Sequence, residues 1–563
     1  MNEIDYINSS AVKDAINNLA NNIRTERSSV QNLFNIYADK SIINRLDNHN
    51  NQIIYGRRGT GKTHLLFAFQ NLIFSKNIPG KQKRFSVYID LRKYLPLFTS
   101  SNTINVESAI LIFQALINDL IEDLTNNLKY IFDIQEYGTF NSFEENRLVK
   151  LKTILAELNI EFNGREFKRL GSVEFNREEI KNISGSLKLN QNPEINIDGK
   201  KEQKNAFAET NVQYLSFNKI SKLLEELSNQ LNDTKIVFLL DEWSEIPIDL
   251  QPYLAELIKR VFISSNYTFK IAAIPYRTRF REIIHNEIKI GLEEGGDIFP
   301  VSIDNRYIYE VDKVGTKTFY NELIINHLKE INPDILKDVD ELKFINYFFA
   351  NQALAEILIA SAGIPRDFIN LFILSYNNRN NTSQRIVLKN IRNSTTEWYT
   401  SDKKEEIDKD KTIKHLFEEL VNQVILIKRK THFLLPQKHS ENKFIKKLVD
   451  LRVLHLRQKG ISHKHITNKT YDVYSIDYGS YTSLDINKTT LNTDFSELIT
   501  NLNTIEDIRE TRSLSIEDDF FEKFNLETGQ GIKCPKCSKT IDINHLAYIK
   551  QNVCNNCFEK VEE

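Results

Sequence analysis

The chain has 563 residues, of which 41% are hydrophobic and 27% charged, and its formal net charge is −2 at pH 7. These proportions are typical of a soluble globular protein, and the length exceeds what one hydrophobic core supports, so we expect about three or four domains. The small net charge excludes a chain that is basic or acidic throughout, so any nucleic-acid signal must come from a local asymmetry.

Two features of the sequence argue against a membrane protein. No apolar run approaches the roughly 20 residues that span a bilayer. The opening residues, MNEIDYINSS, lack the basic-then-apolar order of a signal peptide. We therefore expect a cytoplasmic protein without membrane contact.

Residues 1–46 carry apolar side chains at helical spacing and are predicted to form short N-terminal helices. The stretch from Ile53 to Leu66, IIYGRRGTGKTHLL, then combines an apolar run, the pattern G-x-x-x-x-G-K-T and a helix-compatible segment. This is the pattern of a phosphate-binding loop, or P-loop. Its glycines let successive backbone N–H groups point at a polyphosphate, and the following helix adds the positive end of its dipole.

The P-loop pattern also assigns side-chain roles. Lys62 is predicted to reach the terminal phosphates of a nucleotide, and the Thr63 hydroxyl is predicted to ligate Mg²⁺. The alternative is a glycine-rich turn that matches by chance, which the flanking strand and helix disfavour. The predicted nucleotide-binding residues are Gly56, Arg57, Arg58, Gly59, Thr60, Gly61, Lys62 and Thr63.

Apolar strands alternate with amphipathic helices up to about residue 305, which predicts an α/β core over residues 47–305 with a parallel sheet. The polar stretch at about 130–212 interrupts this alternation. A structureless loop of that length would be uncommon, so we interpret it as a small subdomain inserted into the core. Strands are expected at 85–90, 235–240, 269–274 and 301–303, and helices at 106–128, 217–231 and 250–263.

An acidic pair, Asp241 and Glu242, ends the most hydrophobic of these strands. In P-loop sites the aspartate holds the Mg²⁺ shell, and the glutamate orients and deprotonates the attacking water. An acidic surface turn would have the same residues. The buried strand before the pair and the P-loop upstream favour a site that hydrolyses a nucleotide triphosphate.

Helices dominate residues 306–400, which we interpret as a helical lid, and a charged connector follows to about residue 411. Within the lid, Gly363-Ile364-Pro365-Arg366 indicates a glycine stop followed by a helix that begins at the proline. Residues 411–486 follow the order helix, helix, strand, hairpin, strand of a winged helix. Residues 487–530 are predicted to be an acidic, weakly helical linker.

The winged-helix region concentrates positive charge. Residues 428–469 include twelve basic and two acidic side chains, a local net charge of +10. Lys443, Lys446 and Lys447 lie at helical spacing on the predicted recognition helix, and residues 459–465 belong to the wing. Such a module contacts DNA with its helix in the groove and its wing on the phosphates, so we expect weakly specific DNA binding. The alternatives are a protein-docking module and a basic face that is only solvated.

The four cysteines of the chain lie in its last 30 residues and form two CxxC pairs separated by sixteen residues. This clustering indicates a metal site in a reducing compartment rather than a disulfide framework. We therefore predict a zinc ribbon over residues 531–563 whose closed, four-cysteine Zn²⁺ site is structural rather than catalytic. The predicted ligands are Cys534, Cys537, Cys554 and Cys557.

Several segments occur in an order that resembles the prokaryotic origin-recognition-type ATPases of the AAA+ class, a group close to the STAND signalling NTPases. These segments are the P-loop, VYIDLRKY, FLLDEW, KIAAIPYRTRF and AGIPRDFINLF, and the resemblance spans about residues 30–480. It implies an AAA+-like core with a helical lid and a sensor 2 role for Arg366, whose planar charged fork would reach the γ-phosphate. The alternative for Arg366 is a solvated side chain at a helix start.

The sensor 1 position of that family has a weaker match. The fourth strand ends in Pro275-Tyr276-Arg277-Thr278, without the usual Asn. Arg277 and Arg279 are candidates to face the phosphates or a neighbouring subunit, and a basic surface turn is the alternative. A homo-oligomer is compatible with the resemblance, but the arginine finger between subunits stays unassigned.

Two functions are consistent with these features. The first is an ATP- and Mg²⁺-dependent ATPase with catalytic residues Lys62, Glu242 and Arg366, acting as a DNA-associated switch in phage defence or mobile-element biology with a partner or effector encoded nearby. The second is a STAND-like signalling NTPase that senses a protein or phage ligand and recruits an effector without binding DNA, with the winged helix as an internal clamp. The basic region favours the first, and the large insertion is compatible with a sensor in the second.

Overall fold

The computed structural model of the protein describes fifteen ranges of the chain. They are residues 3–22, 33–76, 83–95, 106–127, 149–158, 217–231, 234–262, 267–284, 288–337, 339–350, 352–379, 384–462, 469–484, 515–543 and 545–561. No helix within these ranges is long and apolar enough to cross a membrane.

A five-stranded parallel sheet forms the centre of the core, with the strand order β2-β3-β4-β1-β7. An antiparallel hairpin of β5 and β6 lies between β4 and β7 in the chain. The predicted parallel sheet is therefore confirmed. The strands are β1 (Gln52–Tyr55), β2 (Arg84–Asp90), β3 (Lys235–Asp241), β4 (Tyr267–Ala273), β5 (Arg281–Ile284), β6 (Ile288–Gly291) and β7 (Phe299–Ser302).

Helices cover both faces of this sheet, which explains the near-continuous apolar sequence of β3. Along β3, Phe238 packs into the hydrophobic core on one face and Leu239 into the core on the other. The first face is covered by the helices Val106–Asn126, Phe217–Gln230 and Gln251–Phe262, and the second by Lys40–Leu46 and Lys62–Ser75.

The predicted insertion lies mostly outside the described residues. Within it, residues 149–158 form a helix that buries Leu151 and Leu158 against the first face of the sheet.

The N-terminal helices Glu3–Ile7 and Ser10–Leu19 pack on the lid rather than on the sheet. The Tyr6 hydroxyl donates to the Ile335 carbonyl at 2.5 Å, and the Tyr376 hydroxyl donates to the Ile7 carbonyl at 2.6 Å. Only the later helices, Leu33–Ile36 and Lys40–Leu46, lead into β1 as expected. The main lid helices are Lys313–Ile331, Ala353–Ala360, Pro365–Asn377 and Leu388–Trp398.

The charged stretch after the lid is not an extended connector. The helix Leu388–Trp398 continues through a π-helical segment, Tyr399–Lys404, into the short helix Glu405–Asp408. Lys403 is buried there, because its ammonium group pairs with two buried carboxylates, those of Asp367 and Asp477. The lid and the following domain consequently share one hydrophobic core.

The next domain combines the helices Lys411–Val421 and Lys443–Asp450 with an antiparallel sheet in the order β8-β10-β9. We name Lys443–Asp450 the basic helix. The sheet adds a strand that the sequence analysis did not predict, β8, while residues 463–468 of the expected wing lie outside the described residues. The three strands are β8 (His432–Pro436), β9 (Leu454–Ser462) and β10 (Thr470–Ile476).

The predicted linker differs from the structure in its last part. Ile516 N–H donates to the Leu434 carbonyl of β8 at 2.8 Å, so the chain pairs with the winged-helix sheet at this point. The helix Asp518–Glu527, which we name the acidic helix, then buries Phe521 and Phe524. Two buried aromatic rings hold residues 515–527 on the winged-helix domain, whereas residues 485–514 lie outside the described part.

The C-terminal unit is small. It consists of the antiparallel strands β11 (Gly531–Lys533) and β12 (Thr540–Asp542) and the helix Leu546–Gln551. Its hydrophobic core contains Cys534 and Cys554 beside Ile541 and Val561. The fold is therefore an AAA+-like α/β core with a helical lid, a winged-helix domain and a small ribbon that carries the cysteines.

Candidate functional site

The loop between β1 and the helix Lys62–Ser75 has the backbone that a phosphate cradle needs. Gly59 and Gly61 have φ angles of 85° and 90°, a left-handed conformation that disfavours residues with a Cβ. At Gly56 an added Cβ would lie 2.4 Å from Thr60 Oγ1. The three glycines of the motif are thus each required by the shape of the loop.

Lys62 is buried inside this loop. Its ammonium group donates to the carbonyl oxygens of Gly56 at 2.9 Å and of Arg57 at 3.2 Å. Burial lowers the pKa of Lys62, and the carboxylates of Glu242 and Asp241 oppose that shift. The cation predicted to contact phosphates therefore lies between the loop and the acidic pair.

The structure brings the two predicted Mg²⁺ ligands into contact. Thr63 Oγ1 donates to Asp241 Oδ2 at 2.6 Å, and the Tyr88 hydroxyl donates to the same oxygen at 3.0 Å. Burial raises the pKa of Asp241, while the hydrogen bond from Thr63 and the charge of Lys62 lower it. Tyr88, which holds this carboxylate from β2, was not singled out from the sequence.

Glu242 adopts a left-handed backbone conformation, with φ 56°, directly after β3. Its N–H donates to Asp241 Oδ1 at 2.9 Å. Burial and then Asp241 raise the pKa of Glu242, and Lys62 and Arg92 oppose the shift. Arg92, at 3.8 Å from Glu242 Oε1, is a second residue that the sequence analysis did not assign.

Arg366 lies against the P-loop, where the family resemblance implies it should be. Its backbone N–H donates to the Gly59 carbonyl at 3.2 Å, and a Cβ built on Gly59 would lie 3.0 Å from Arg366 Nε. The helix begins at Pro365, after Gly363 with φ 77°, as the sequence predicts. Contact of Arg366 with a γ-phosphate stays a prediction.

The two arginines of the P-loop differ in their surroundings. Arg58 is half-exposed and pairs with Glu245 at 3.1 Å. Arg57 is buried and pairs with Asp304 at 2.6 Å, and its guanidinium also contacts His455 of β9 at 2.7 Å. Sequence reasoning assigned Arg57 only to the phosphate cradle and missed this contact with a distant domain.

The arginines after β4 contact carboxylates of this chain. Arg277 lies 3.2 Å from Glu245 and 3.9 Å from Asp450 of the basic helix, and Arg279 pairs with Asp249 at 2.7 Å. Arg277 therefore joins the edge of the nucleotide site to the winged-helix domain. Contact of Arg277 or Arg279 with phosphates or with a neighbouring subunit stays a prediction.

The four cysteines come together as predicted. Their sulfur atoms all lie within 4.8 Å of one another, with 3.7 Å between Cys534 and Cys557 and 3.8 Å between Cys537 and Cys554. A tetrahedral Zn²⁺ with Zn–S bonds of about 2.3 Å requires sulfur–sulfur distances of about 3.8 Å. The geometry of the cluster thus fits a four-coordinate zinc ion.

Many of the basic side chains of the winged-helix region contact carboxylates or carbonyl groups of the same chain. Arg452 pairs with Asp367 and Asp402, and Arg457 lies 3.7 Å from Glu310. Three further lysines contact the acidic segment around Glu517: Lys428 donates to the Ser515 carbonyl, Lys438 pairs with Asp518, and Lys469 pairs with Glu517. The exposed basic residues include Arg429, Lys443, Lys447 and Lys459.

The local charge of +10 therefore overstates the charge that faces solvent. Buried Arg452 and Arg457 make contacts between domains. Glu517 and Asp518 neutralise part of the positive charge of Lys469 and Lys438. Lys446 is half-buried and pairs with Glu441 at 2.5 Å. Within the basic helix, Lys443 and Lys447 are the residues whose exposure fits the predicted role.

Comparisons with known proteins identify one family and several solved structures that are similar to this chain. The model of the ORC-CDC6-like family matches residues 18–432 of the chain. Among solved structures, the Orc1 protein of Aeropyrum pernix in complex with DNA is 11% identical, with 81% of this chain and 95% of that chain covered and a TM-score of 0.32. The Drosophila ORC bound to DNA is 10% identical, with 85% and 93% covered and a TM-score of 0.31.

No curated protein matches the sequence. The family match nevertheless extends over most of the chain, from the N-terminal helices to the first strand of the winged-helix sheet. The protein therefore belongs to the ORC-CDC6-like family of origin-recognition-type AAA+ ATPases.

Proposed function

We propose that this protein binds and hydrolyses ATP with Mg²⁺ and thereby acts as a DNA-associated switch. The observation that carries the ATPase proposal is the contact between Thr63 and Asp241 at 2.6 Å, beside the buried ammonium group of Lys62. A hydroxyl and a carboxylate are the hard oxygen ligands that Mg²⁺ takes from P-loop proteins. Bound Mg²⁺ would neutralise charge on the β- and γ-phosphates.

The other side chains have complementary roles in this proposal. Lys62 binds the terminal phosphates, the loop backbone from Gly56 to Thr63 cradles them, and Arg366 contacts the γ-phosphate from the lid. Glu242 orients and deprotonates the attacking water, and the pKa raised by its burial makes its carboxylate a stronger base.

The experiment for this part measures phosphate release and nucleotide affinity of the full chain with MgATP. Glu242→Gln removes the base but keeps the size of the side chain and leaves the phosphate cradle intact. We expect it to retain affinity and lose turnover. Hydrolysis by Glu242→Gln at the wild-type rate would show that another group is the base.

The DNA part of the proposal is supported by the basic helix. Lys443 and Lys447 are exposed on it, and Lys459 is exposed on β9. Lysines on a helix that enters a groove contribute phosphate contacts and hence an affinity that falls with salt. A mobility shift on duplex DNA at several salt concentrations tests this directly.

One observation favours the second candidate, a STAND-like signalling NTPase. The winged-helix domain contacts the P-loop through Arg57 and His455, as an internal clamp would. Absence of DNA binding at low salt, with the basic helix intact, would support this candidate over the first. A role in phage defence stays a prediction, which the neighbouring genes and phage challenge of cells that express the protein would test.

We further propose that Cys534, Cys537, Cys554 and Cys557 hold one structural Zn²⁺. Their sulfur distances support a tetrahedral site, and a four-thiolate set leaves no open coordination position for catalysis.

A further inference from the structure

The starting point is the side chain of Arg57 in the P-loop. The Arg57 carbonyl is part of the phosphate cradle, since it accepts hydrogen bonds from Thr60 Oγ1 at 2.8 Å and from Lys62 Nζ at 3.2 Å. The guanidinium group points the other way and is 2% exposed. It pairs with Asp304 and reaches His455 of the winged-helix domain. One residue thus belongs to the nucleotide site through its backbone and to an interface between domains through its side chain.

The hydrogen bonds define the state of His455. A guanidinium group can only donate, so the 2.7 Å contact with Arg57 requires His455 Nδ1 to accept. The proton therefore resides on Nε2, which donates to Asp477 Oδ2 at 2.9 Å. Burial of the ring lowers the pKa of His455 to about 3, in agreement with a neutral imidazole at pH 7.

The contacts continue from Asp477 to the lid. Lys403 Nζ donates to Asp477 Oδ2 at 2.7 Å and lies 3.4 Å from Asp367 Oδ2. Asp367 also pairs with Arg452 and directly follows Arg366 in the helix that lies on the P-loop. A continuous set of buried polar contacts therefore connects the P-loop, the winged-helix domain and Asp367 of the lid, which directly follows the residue that contacts the P-loop.

Separating the winged-helix domain from the core would remove Asp477 from Lys403 and Arg452 from Asp367. It would also break the Arg57–His455 contact, whereas Arg57 would keep its ion pair with Asp304. Lys403 and Asp367 are each at most 3% exposed, and a buried charge that loses one of its partners is destabilising. The docked and undocked arrangements of the winged-helix domain therefore differ in these buried contacts, one of which is made by the side chain of the P-loop residue Arg57. Such a two-state element is what energetic coupling between two sites requires.

We propose that His455 is a positioning residue for the nucleotide site, which couples nucleotide binding at the P-loop to docking of the winged-helix domain through its contacts with Arg57 and Asp477. This inference deepens the proposed function and rests on ATP binding at the P-loop. His455 does not touch the nucleotide. It is one of the partners of the Arg57 guanidinium, which also donates to Asp304, Asn305 and the Ala362 carbonyl. The backbone carbonyl of Arg57 in turn accepts the hydrogen bonds of Thr60 and Lys62 inside the loop.

The experiment uses the full chain and a fluorescent ATP analogue with Mg²⁺. His455→Leu removes both hydrogen bonds, whereas His455→Gln keeps an acceptor and a donor on one planar group. The matched control is His432→Leu in β8, a buried histidine of the same sheet whose ring nitrogen contacts Thr431 at 2.8 Å. We expect His455→Leu to weaken binding on the order of tenfold, and we expect His455→Gln and His432→Leu to stay within about threefold of wild type.

The reciprocal measurement is hydrogen exchange of residues 454–477 with and without MgATP. Coupling is reciprocal, so nucleotide should change protection of this segment in the wild type and in His432→Leu but not in His455→Leu. This readout separates coupling from a general loss of stability. If His455→Leu does not fold, Arg57→Gln breaks the same contact from the P-loop, and the response of residues 454–477 to nucleotide should again be lost.

The outcomes are distinguishable. A wild-type chain that does not bind the analogue would contradict the proposed function itself. A wild-type chain that binds it, together with a His455→Leu variant of equal affinity and equal exchange response, would overturn the coupling alone. Equal losses in His455→Leu and His432→Leu would also overturn it, since they would indicate general destabilisation.

Discussion

The nucleotide site and the basic winged-helix region are both sets of charged residues visible in the sequence. They differ in how well the sequence predicts the contacts that these residues make in the structure. At the nucleotide site, Lys62, Thr63 and Asp241 meet as the motif predicts. In the winged-helix region, residues such as Arg452 and Lys469 pair with carboxylates of the same chain. A motif with fixed spacing specifies a local geometry, whereas a count of charges does not specify which of them face solvent.

The largest expected effect concerns the motif. Lys62→Ala should abolish nucleotide binding, because it removes the buried cation between the loop and the acidic pair. Glu242→Gln should retain binding and lower turnover by roughly 10²–10⁴-fold, the range for loss of a general base. Equilibrium binding of a labelled nucleotide and steady-state phosphate release measure the two effects separately. Binding by Lys62→Ala with wild-type affinity would contradict the conclusion that the P-loop motif specifies the geometry of the nucleotide site.

The second prediction extends the comparison to another motif with fixed spacing. Metal analysis of the purified chain should return about one zinc per molecule, because the sulfur distances fit a tetrahedral site. Cys537→Ser should lower the zinc content markedly, and a truncation at Gly531 should remove it. His545→Ala is the matched control, since His545 lies between the two CxxC pairs but outside the four-cysteine cluster. Full zinc content in Cys537→Ser would contradict the site.

The third prediction tests which basic residues face a partner. Lys443→Gln with Lys447→Gln should reduce affinity for duplex DNA by about 10-fold at low salt and reduce the salt slope by about 2, because each lysine removed is one phosphate contact fewer. The control is Lys438→Gln with Lys469→Gln, whose ammonium groups pair with Asp518 and Glu517. Equal losses in the two double variants would show that the number of lysines, rather than their contacts with Asp518 and Glu517, decides DNA binding.

The smallest expected effect comes from neutralising Glu517 and Asp518, the carboxylates that pair with lysines of the winged-helix domain. Glu517→Gln with Asp518→Asn releases Lys469 and Lys438 from their partners and adds positive charge to the surface. We expect DNA affinity to rise about two- to fivefold at low salt, since the change affects partly exposed charges that salt screens. The same mobility shift measures it. A fall in affinity would mean that the acidic segment around Glu517 itself contributes to the DNA-binding surface.

The candidate site shows how far sequence reasoning reaches. Gly56 to Thr63, the pair Asp241 and Glu242, and the entry to the lid helix at Arg366 could all be predicted, because each lies within a few residues of a strand or helix end. The P-loop and the acidic pair then lie at the same edge of the sheet, because β1 and β3 run parallel on either side of β4. Tyr88 and Arg92 could have been found by the same logic, since β2 lies beside β3 and ends at the same edge of the sheet.

The sequence by itself determined that the site is a P-loop nucleotide site, that strands and helices alternate in the core, and that the four cysteines cluster. Each of these features depends on short spacings along the covalent chain. Only the tertiary structure decided that the N-terminal helices belong with the lid and that Lys403 is buried. It also decided that Arg57 contacts His455, a pair 398 positions apart. The physical reason is that the burial of a charge depends on partners supplied by distant segments. Neither composition nor periodicity records which of those segments meet.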